Sequence, residues 1–137
     1  MPPPFSHLTE AALYVNDLDE TEAFYAGVLG LRKIDRTEGR GVLFQAGPAQ
    51  MLLCFLADET LKGDRLPSHG TKGPGHVAIG IATADFDAWK RHLTNCGVAI
   101  EHEHNWERGG QSLYFRDPAG NSVELATPGI WGLQSGW

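Results

Sequence analysis

The chain has 137 residues, 42% of them hydrophobic and 20% charged, with a formal net charge of −6. That length supports a proper core without staples, and the balance is that of an ordinary globular domain. The acidity, with no basic run to offset it, excludes nucleic acid as a partner.

Two cysteines, Cys54 and Cys96, are too few for a disulfide framework. Both stand among apolar letters and read as buried free thiols in a reducing cytosol. No apolar stretch approaches membrane-spanning length, and the start MPPPFSH lacks the charged and apolar regions of a signal peptide. A cytoplasmic protein without membrane contact is expected.

In chain order, residues 1–6 form a Pro-rich lead-in. Leu8 to Val15 alternates as a strand, with Ala11, Leu13 and Val15 on one face. Asn16-Asp17 breaks it, and Asp19 with Glu22 suggests a capping box for a helix whose apolar stripe is Phe24, Tyr25, Val28 and Leu29. Gly30 ends that helix. Strands are predicted over 31–37, 41–45 and 51–56. Residues 58–75 read as a linker, with Ser68-His69-Gly70 placed to fold over a site. His76 to Ala82 is the next strand. Asp85 to Cys96 is a helix carrying Phe86, Trp89 and Leu93 on one side, with Gly97 as its stop. Residues 98–106 are strand-like, and 107–110 turn.

The stretch SLYFRDPAGNSVELATP closes the fold as strand, tight turn and strand. Asp117-Pro118-Ala119-Gly120-Asn121 supplies the residues a turn uses for fixed or positive φ. In the last strand Val123 and Leu125 share one face, and Glu124 shares the other with Ser122 and Ala126. A mid-strand carboxylate is solvated, paired or bound to something, because a lone buried charge costs several kcal/mol.

The two halves repeat. The segment from Glu10 matches the segment from His76 as strand, helix and glycine, and LFQAGPAQMLL from Leu43 matches YFRDPAGNSVE from Tyr114 without a gap. The expected fold is therefore α+β, two tandem βαβββ modules forming a cupped mixed sheet. The expected organisation is a single domain over 1–137, with module 1 at about 7–57, a linker at 58–75 and module 2 at about 76–128. The register sets Glu10 opposite His76 and Leu53 opposite Glu124.

Three of these four matched positions offer metal-ligating atoms. Glu10, His76 and Glu124 suit a divalent ion such as Mn²⁺, Fe²⁺, Co²⁺, Ni²⁺ or Zn²⁺, and three protein ligands leave room for water and substrate. Leu53 offers no donor atom. Each residue also has a plainer reading: Glu10 as a solvated strand-end carboxylate, His76 as a satisfied histidine at a strand start. Ser112 and Tyr114 point the same way by alternation, and Tyr114 is placed either to donate to a metal-bound oxyanion or to finish the core edge. His102 and His104 share a face at metal-binding spacing, or belong to a solvated edge strand. Arg116 is an anion clamp or a surface charge. Trp106, Trp131 and Phe44 line an aromatic pocket or fill the core.

LYVNDLDETEAFYAGVLGL, GPGHVAIGI and SLYFRDPAGNSVEL together resemble the vicinal oxygen chelate superfamily, which groups glyoxalase I, fosfomycin-resistance proteins, extradiol dioxygenases and bleomycin-binding proteins. The resemblance covers nearly all of the chain and places the family's metal positions on Glu10, His76 and Glu124. It also implies a homodimer with a site built from both chains. Ser112 and Tyr114 match a Ser-x-Tyr that touches substrate in fosfomycin-resistance enzymes. Those enzymes and the extradiol dioxygenases use two histidines and one glutamate, whereas Glu10 replaces the first histidine here. With a divalent ion this triad is formally neutral, which weakens attraction for a phosphonate or catecholate dianion. Glyoxalase I usually carries a fourth ligand where this chain has Leu53.

The expected function is a metal-dependent enzyme on a small oxygenated substrate, of isomerase or lyase type. Glu10 or Glu124 would move a proton, with Tyr114 and Ser112 beside them. A ring-cleaving or other dioxygenase is the enzymatic alternative. A metal-free drug-binding protein of the bleomycin-resistance kind is the alternative from another class.

Overall fold

The computed structural model describes residues 1–137. The chain folds as two compact units, Met1–Thr71 and Lys72–Trp137.

In the first unit, β1 (Glu10–Val15) leads into a short helix α1 (Leu18–Glu22) that widens into a π-helical turn over Ala23–Val28. Strands β2 (Arg32–Thr37), β3 (Gly41–Gln45) and β4 (Met51–Leu56) follow, then the single-turn helix α2 (Ala57–Thr60). The sheet order is β1-β4-β3-β2, with β1 parallel to β4 and the other pairs antiparallel.

The helix cap lies earlier than the expected box. Asp17 is the N-cap, and its carboxylate accepts from the Glu20 backbone N–H at 2.9 Å. Asp19 and Glu22 instead bind Arg36, each at 2.7 Å, because the helix's first turn faces that guanidinium on β2. The wide turn seats the adjacent rings of Phe24 and Tyr25 together in the core, 5.1 Å apart edge to face, and Tyr25 packs on Phe44. Leu13, Val15, Val42, Phe44, Leu52 and Cys54 complete that layer.

The second unit repeats the plan. β5 (His76–Gly80) is followed by α3 (Phe86–Asn95), β6 (His102–Asn105), β7 (Gln111–Arg116) and β8 (Ser122–Ala126), in sheet order β5-β8-β7-β6. β5 runs parallel to β8, and the other pairs are antiparallel. The letter repeat is reproduced bond by bond. Leu43 pairs with Leu53 across β3 and β4, and Tyr114 pairs with Glu124 across β7 and β8. Ala12 lies opposite Leu53 as Ala78 lies opposite Glu124.

One face of this second sheet is core: Leu113, Phe115, Val123 and Leu125 are buried, as are Phe86 and Leu93 of α3. Lys90 of α3 also reaches Glu103 of β6 at 2.6 Å. Cys54 is buried as expected, but Cys96 is exposed. It caps the C-terminus of α3, where the chain turns outward into Gly97 at φ 76°, and Leu93 takes the core position instead.

The closing turn differs from expectation in one respect. Gly120 has positive φ and Asn121 does not. Asn121 is buried for its hydrogen bonds. Its Nδ2 donates to Asp117 Oδ2, and its Oδ1 accepts from the Gly75 backbone N–H at 2.7 Å. The turn between β7 and β8 is thereby fastened to the residue before His76.

Candidate metal pair and the clefts beside it

Strand alternation puts His76, Ala78 and Gly80 of β5 on the face opposite the core. Register extends that face through Ser122 and Glu124 of β8, Ser112 and Tyr114 of β7, and His102 and His104 of β6. A polar strip therefore crosses the sheet at the level of Glu124.

Glu124 is 5% exposed, yet both oxygens have partners. Oε2 accepts from Ser112 Oγ at 2.9 Å, and Ser112 Oγ accepts in turn from Trp106 Nε1 at 2.9 Å. Oε1 faces His76 Nε2 at 3.5 Å. The other His76 nitrogen, Nδ1, lies 3.1 Å from the Ser122 carbonyl oxygen. A carbonyl only accepts, so Nδ1 carries the proton and donates it. Nε2 therefore faces the carboxylate oxygen, a contact that either a proton on Nε2 or a metal ion between the two atoms satisfies.

The pair fits a metal ion. Usual ligand distances of about 2.1 Å and a tetrahedral angle place N and O about 3.4 Å apart. The Ser122 carbonyl and the Ser112 hydroxyl are the outer partners that orient an imidazole and a carboxylate ligand. No group of three or more His, Cys, Asp or Glu side chains stands at metal-holding range.

Tyr114 lies beside Glu124. Burial, foremost, and then the hydrogen bond to the Glu124 carboxylate push its phenol above the ordinary value. Its ring stacks on His76 at 6.3 Å and meets His102 at 6.0 Å. The expected residues His76, Ser112, Tyr114 and Glu124 are thus neighbours. Glu10, in the first unit, is exposed at the start of β1 and pairs with Met51 as His76 pairs with Ser122.

Two open clefts adjoin the strip. The first, about 380 Å³, is lined by Glu101, His102, His104, Trp106 and Tyr114. The second, about 520 Å³, shares His104 and Trp106 and adds Asn105, Glu107, Arg108, Ile130 and Trp131. Alternation along EHEHNW carries the signal for both histidines, and the solvated-edge reading alone misses that their face is the one bearing Tyr114. Phe44 is core, whereas Trp106 and Trp131 line a cleft. Arg116 is a surface charge paired with Glu101 at 2.6 Å. His69 of the linker is held within the first unit, where its Nδ1 lies 2.6 Å from the Tyr14 hydroxyl and its ring meets Phe55. No helix is long and apolar enough to cross a membrane.

Comparison with known proteins agrees with this architecture. The chain is 40% identical to a structure described as lactoylglutathione lyase from Agrobacterium tumefaciens, with a TM-score of 0.88 over 96% of this chain and 100% of that one. It is 31% identical over 120 residues to the glutathione transferase FosA of Serratia marcescens, covering 88% of this chain and 77% of that protein. It is 27% identical over 128 residues to the catechol-2,3-dioxygenase of Bacillus subtilis, spanning 88% of this chain and 41% of the dioxygenase's length. The model of the Glyoxalase/Bleomycin resistance protein/Dioxygenase superfamily matches residues 5–125. With its duplicated four-stranded sheets and matched register, the chain belongs to that superfamily.

Proposed function

We propose that this protein is a divalent-metal-dependent lyase or isomerase of the glyoxalase type acting on a small oxygenated substrate. The observation that carries the reading is the His76–Glu124 pair, whose facing atoms are spaced for a shared cation and whose far sides are tied to the Ser122 carbonyl and Ser112. His76 and Glu124 would hold the ion, with Glu10 as the third ligand its matched position implies, and the ion would supply Lewis-acid stabilisation of negative charge developing on substrate oxygen. The register match of Glu10 to His76 supports the third ligand, and Leu53 leaves the fourth position to solvent.

The roles follow from environment. Glu124 is buried and fixed by Ser112, which suits a permanent ligand. Glu10 is exposed, which suits the carboxylate that takes a proton from substrate carbon and returns it to the neighbouring carbon. Tyr114 keeps its proton through neutral pH and donates a hydrogen bond to the oxyanion. Ser112 orients Glu124.

The two modules act as one domain, and the protein is a cytoplasmic homodimer. Free Cys54 and Cys96 and the family's habit of shared sites support this. Likeness to the dioxygenase supports ring cleavage as a second reading, which requires iron or manganese.

The test is metal analysis of protein purified without a His-tag, with Glu124→Ala as control, together with an assay for lactoylglutathione formation. Near-stoichiometric zinc or nickel in the wild type, lost in the variant, supports the lyase; iron supports the dioxygenase. Absence of metal, with no uptake on titration, overturns both and leaves a metal-free binding protein.

A further inference from the structure

The segment after the last strand of each unit folds back onto the same place in that unit's own sheet. The register sets Tyr14 opposite Phe55 in the first unit and Gly80 opposite Ala126 in the second, so Tyr14 and Gly80 are equivalent positions on the face away from the core. In the first unit the chain beyond β4 brings His69 to that place, its ring 5.9 Å from Tyr14 and 5.3 Å from Phe55. In the second the chain beyond β8 brings Trp137 to Gly80. A Cβ on Gly80 would stand 2.5 Å from Cη2 and 2.9 Å from Cζ3 of that indole.

Gly80 does not have positive φ, so the close approach of the ring, not the backbone, is what requires a glycine there. The indole thus rests on the face that carries His76, Ala78 and Glu124. Ala78 is exposed and pairs with Glu124, and Gly80 lies about 6.6 Å further along β5. Register continues the Gly80 row through Ala126 and Ser112 to His104, and the Trp106 N–H reaches Ser112 on that same row. Two indoles therefore bound one end of the strip.

Between the metal pair and the Trp137 ring, β5 and β8 offer Ala78, Gly80 and Ala126, which carry no charge and no polar side-chain atom. The Trp137 side of this floor differs from its first-unit counterpart, where the Tyr14 hydroxyl and His69 Nδ1 make a polar contact at 2.6 Å. Trp137 is 41% exposed, so resting on Gly80 leaves much of the ring open. An apolar floor ended by an open ring favours a flat apolar group and offers a charged one nothing to offset its desolvation.

We propose that Trp137 is a specificity-determining residue of the metal site, selecting a substrate whose ion-binding oxygens carry an uncharged, planar apolar substituent. That substituent lies over Ala78 and packs on the Trp137 indole. The proposal rests on the metal reading above and adds to it the chemistry of the group the ion does not touch.

The experiment is zinc titration of the chelator-treated protein, followed by calorimetry of the zinc-loaded form with acetohydroxamate and benzohydroxamate. Both present the same two oxygens to the ion and differ in a methyl against a phenyl group. The wild type is expected to hold benzohydroxamate roughly tenfold more tightly. Trp137→Ala is expected to bring the two ligands within about twofold of each other, with zinc affinity unchanged. Trp137→Phe is expected to keep most of the preference, because it keeps a ring. Gly80→Ala is expected to reduce it, because the new Cβ displaces the indole. No preference for benzohydroxamate in the wild type, or a preference that survives Trp137→Ala, overturns the proposal and leaves the metal reading standing. Failure to take up zinc overturns the metal reading and this proposal with it.

Discussion

Ser112 Oγ donates to Glu124 Oε2 at 2.9 Å, across the same pair of strands whose register sets Tyr114 opposite Glu124. That bond holds a carboxylate that is otherwise buried, so that its second oxygen faces His76. A carboxylate fixed on one oxygen by Ser112 and facing His76 with the other is oriented for a cation without having to reorganise.

Ser112→Ala removes that orientation while leaving His76 and Glu124 in place. Metal affinity is expected to fall by about 10- to 100-fold. Folding stability is expected to fall by about 1 kcal/mol, since Trp106 Nε1 also loses its acceptor. Metal titration followed by urea unfolding of the metal-free protein measures the two effects separately. His76→Ala is expected to abolish tight binding.

Tyr114→Phe keeps the ring against His76 and removes the donor. A fall in kcat by about 10²-fold with KM little changed is expected. A KM effect alone would assign Tyr114 to substrate binding.

The same residue makes an alkaline prediction. Burial raises the Tyr114 phenol above 10.0, and burial does the same to Tyr14. A raised value means the folded state holds the proton more tightly than the unfolded one. The associated stability is fully present below pH 10.0 and is lost as pH climbs through the folded-state value. Between pH 10.0 and that raised value, Tyr114→Phe is expected to lose stability less steeply than the wild type in thermal melts.

Asn121→Ala cuts the tie between the β7–β8 turn and Gly75, leaving a half-buried backbone N–H without its acceptor. A loss of about 1–3 kcal/mol is expected. Because Gly75 precedes His76, metal affinity is expected to fall as well. Unchanged affinity would show that β5 is held by its pairing with β8 alone.

Asp17→Ala is expected to cost about 1 kcal/mol through loss of the helix cap. Asp19→Ala is expected to cost less, since Asp19 meets Arg36 at the surface and caps nothing. The reverse order in urea midpoints would restore the Asp19–Glu22 box.

Hydrophobic alternation and turn chemistry determined the modules. A strand buried on one face requires period-two apolar letters, and β3, β4 and β8 have the bounds those letters predict. The duplicated register was also legible, because equivalent backbones impose equivalent patterns at Leu43–Leu53 and Tyr114–Glu124. From it came the choice of Glu10, His76 and Glu124 as the ligand set to test. Other features depended on which side chains meet across sequence distance. Asp17 rather than Asp19 caps α1 because Arg36, far along the chain, claims Asp19. The tautomer of His76 follows from the Ser122 carbonyl, and the setting of Glu124 from Ser112 and Trp106. His102, His104 and Trp131 line clefts beside Trp106 because sheet register and the chain beyond β8 bring them there. Periodicity reports which way a side chain points along its own strand; its partners are set by strand pairing, a long-range choice that no local window of letters contains.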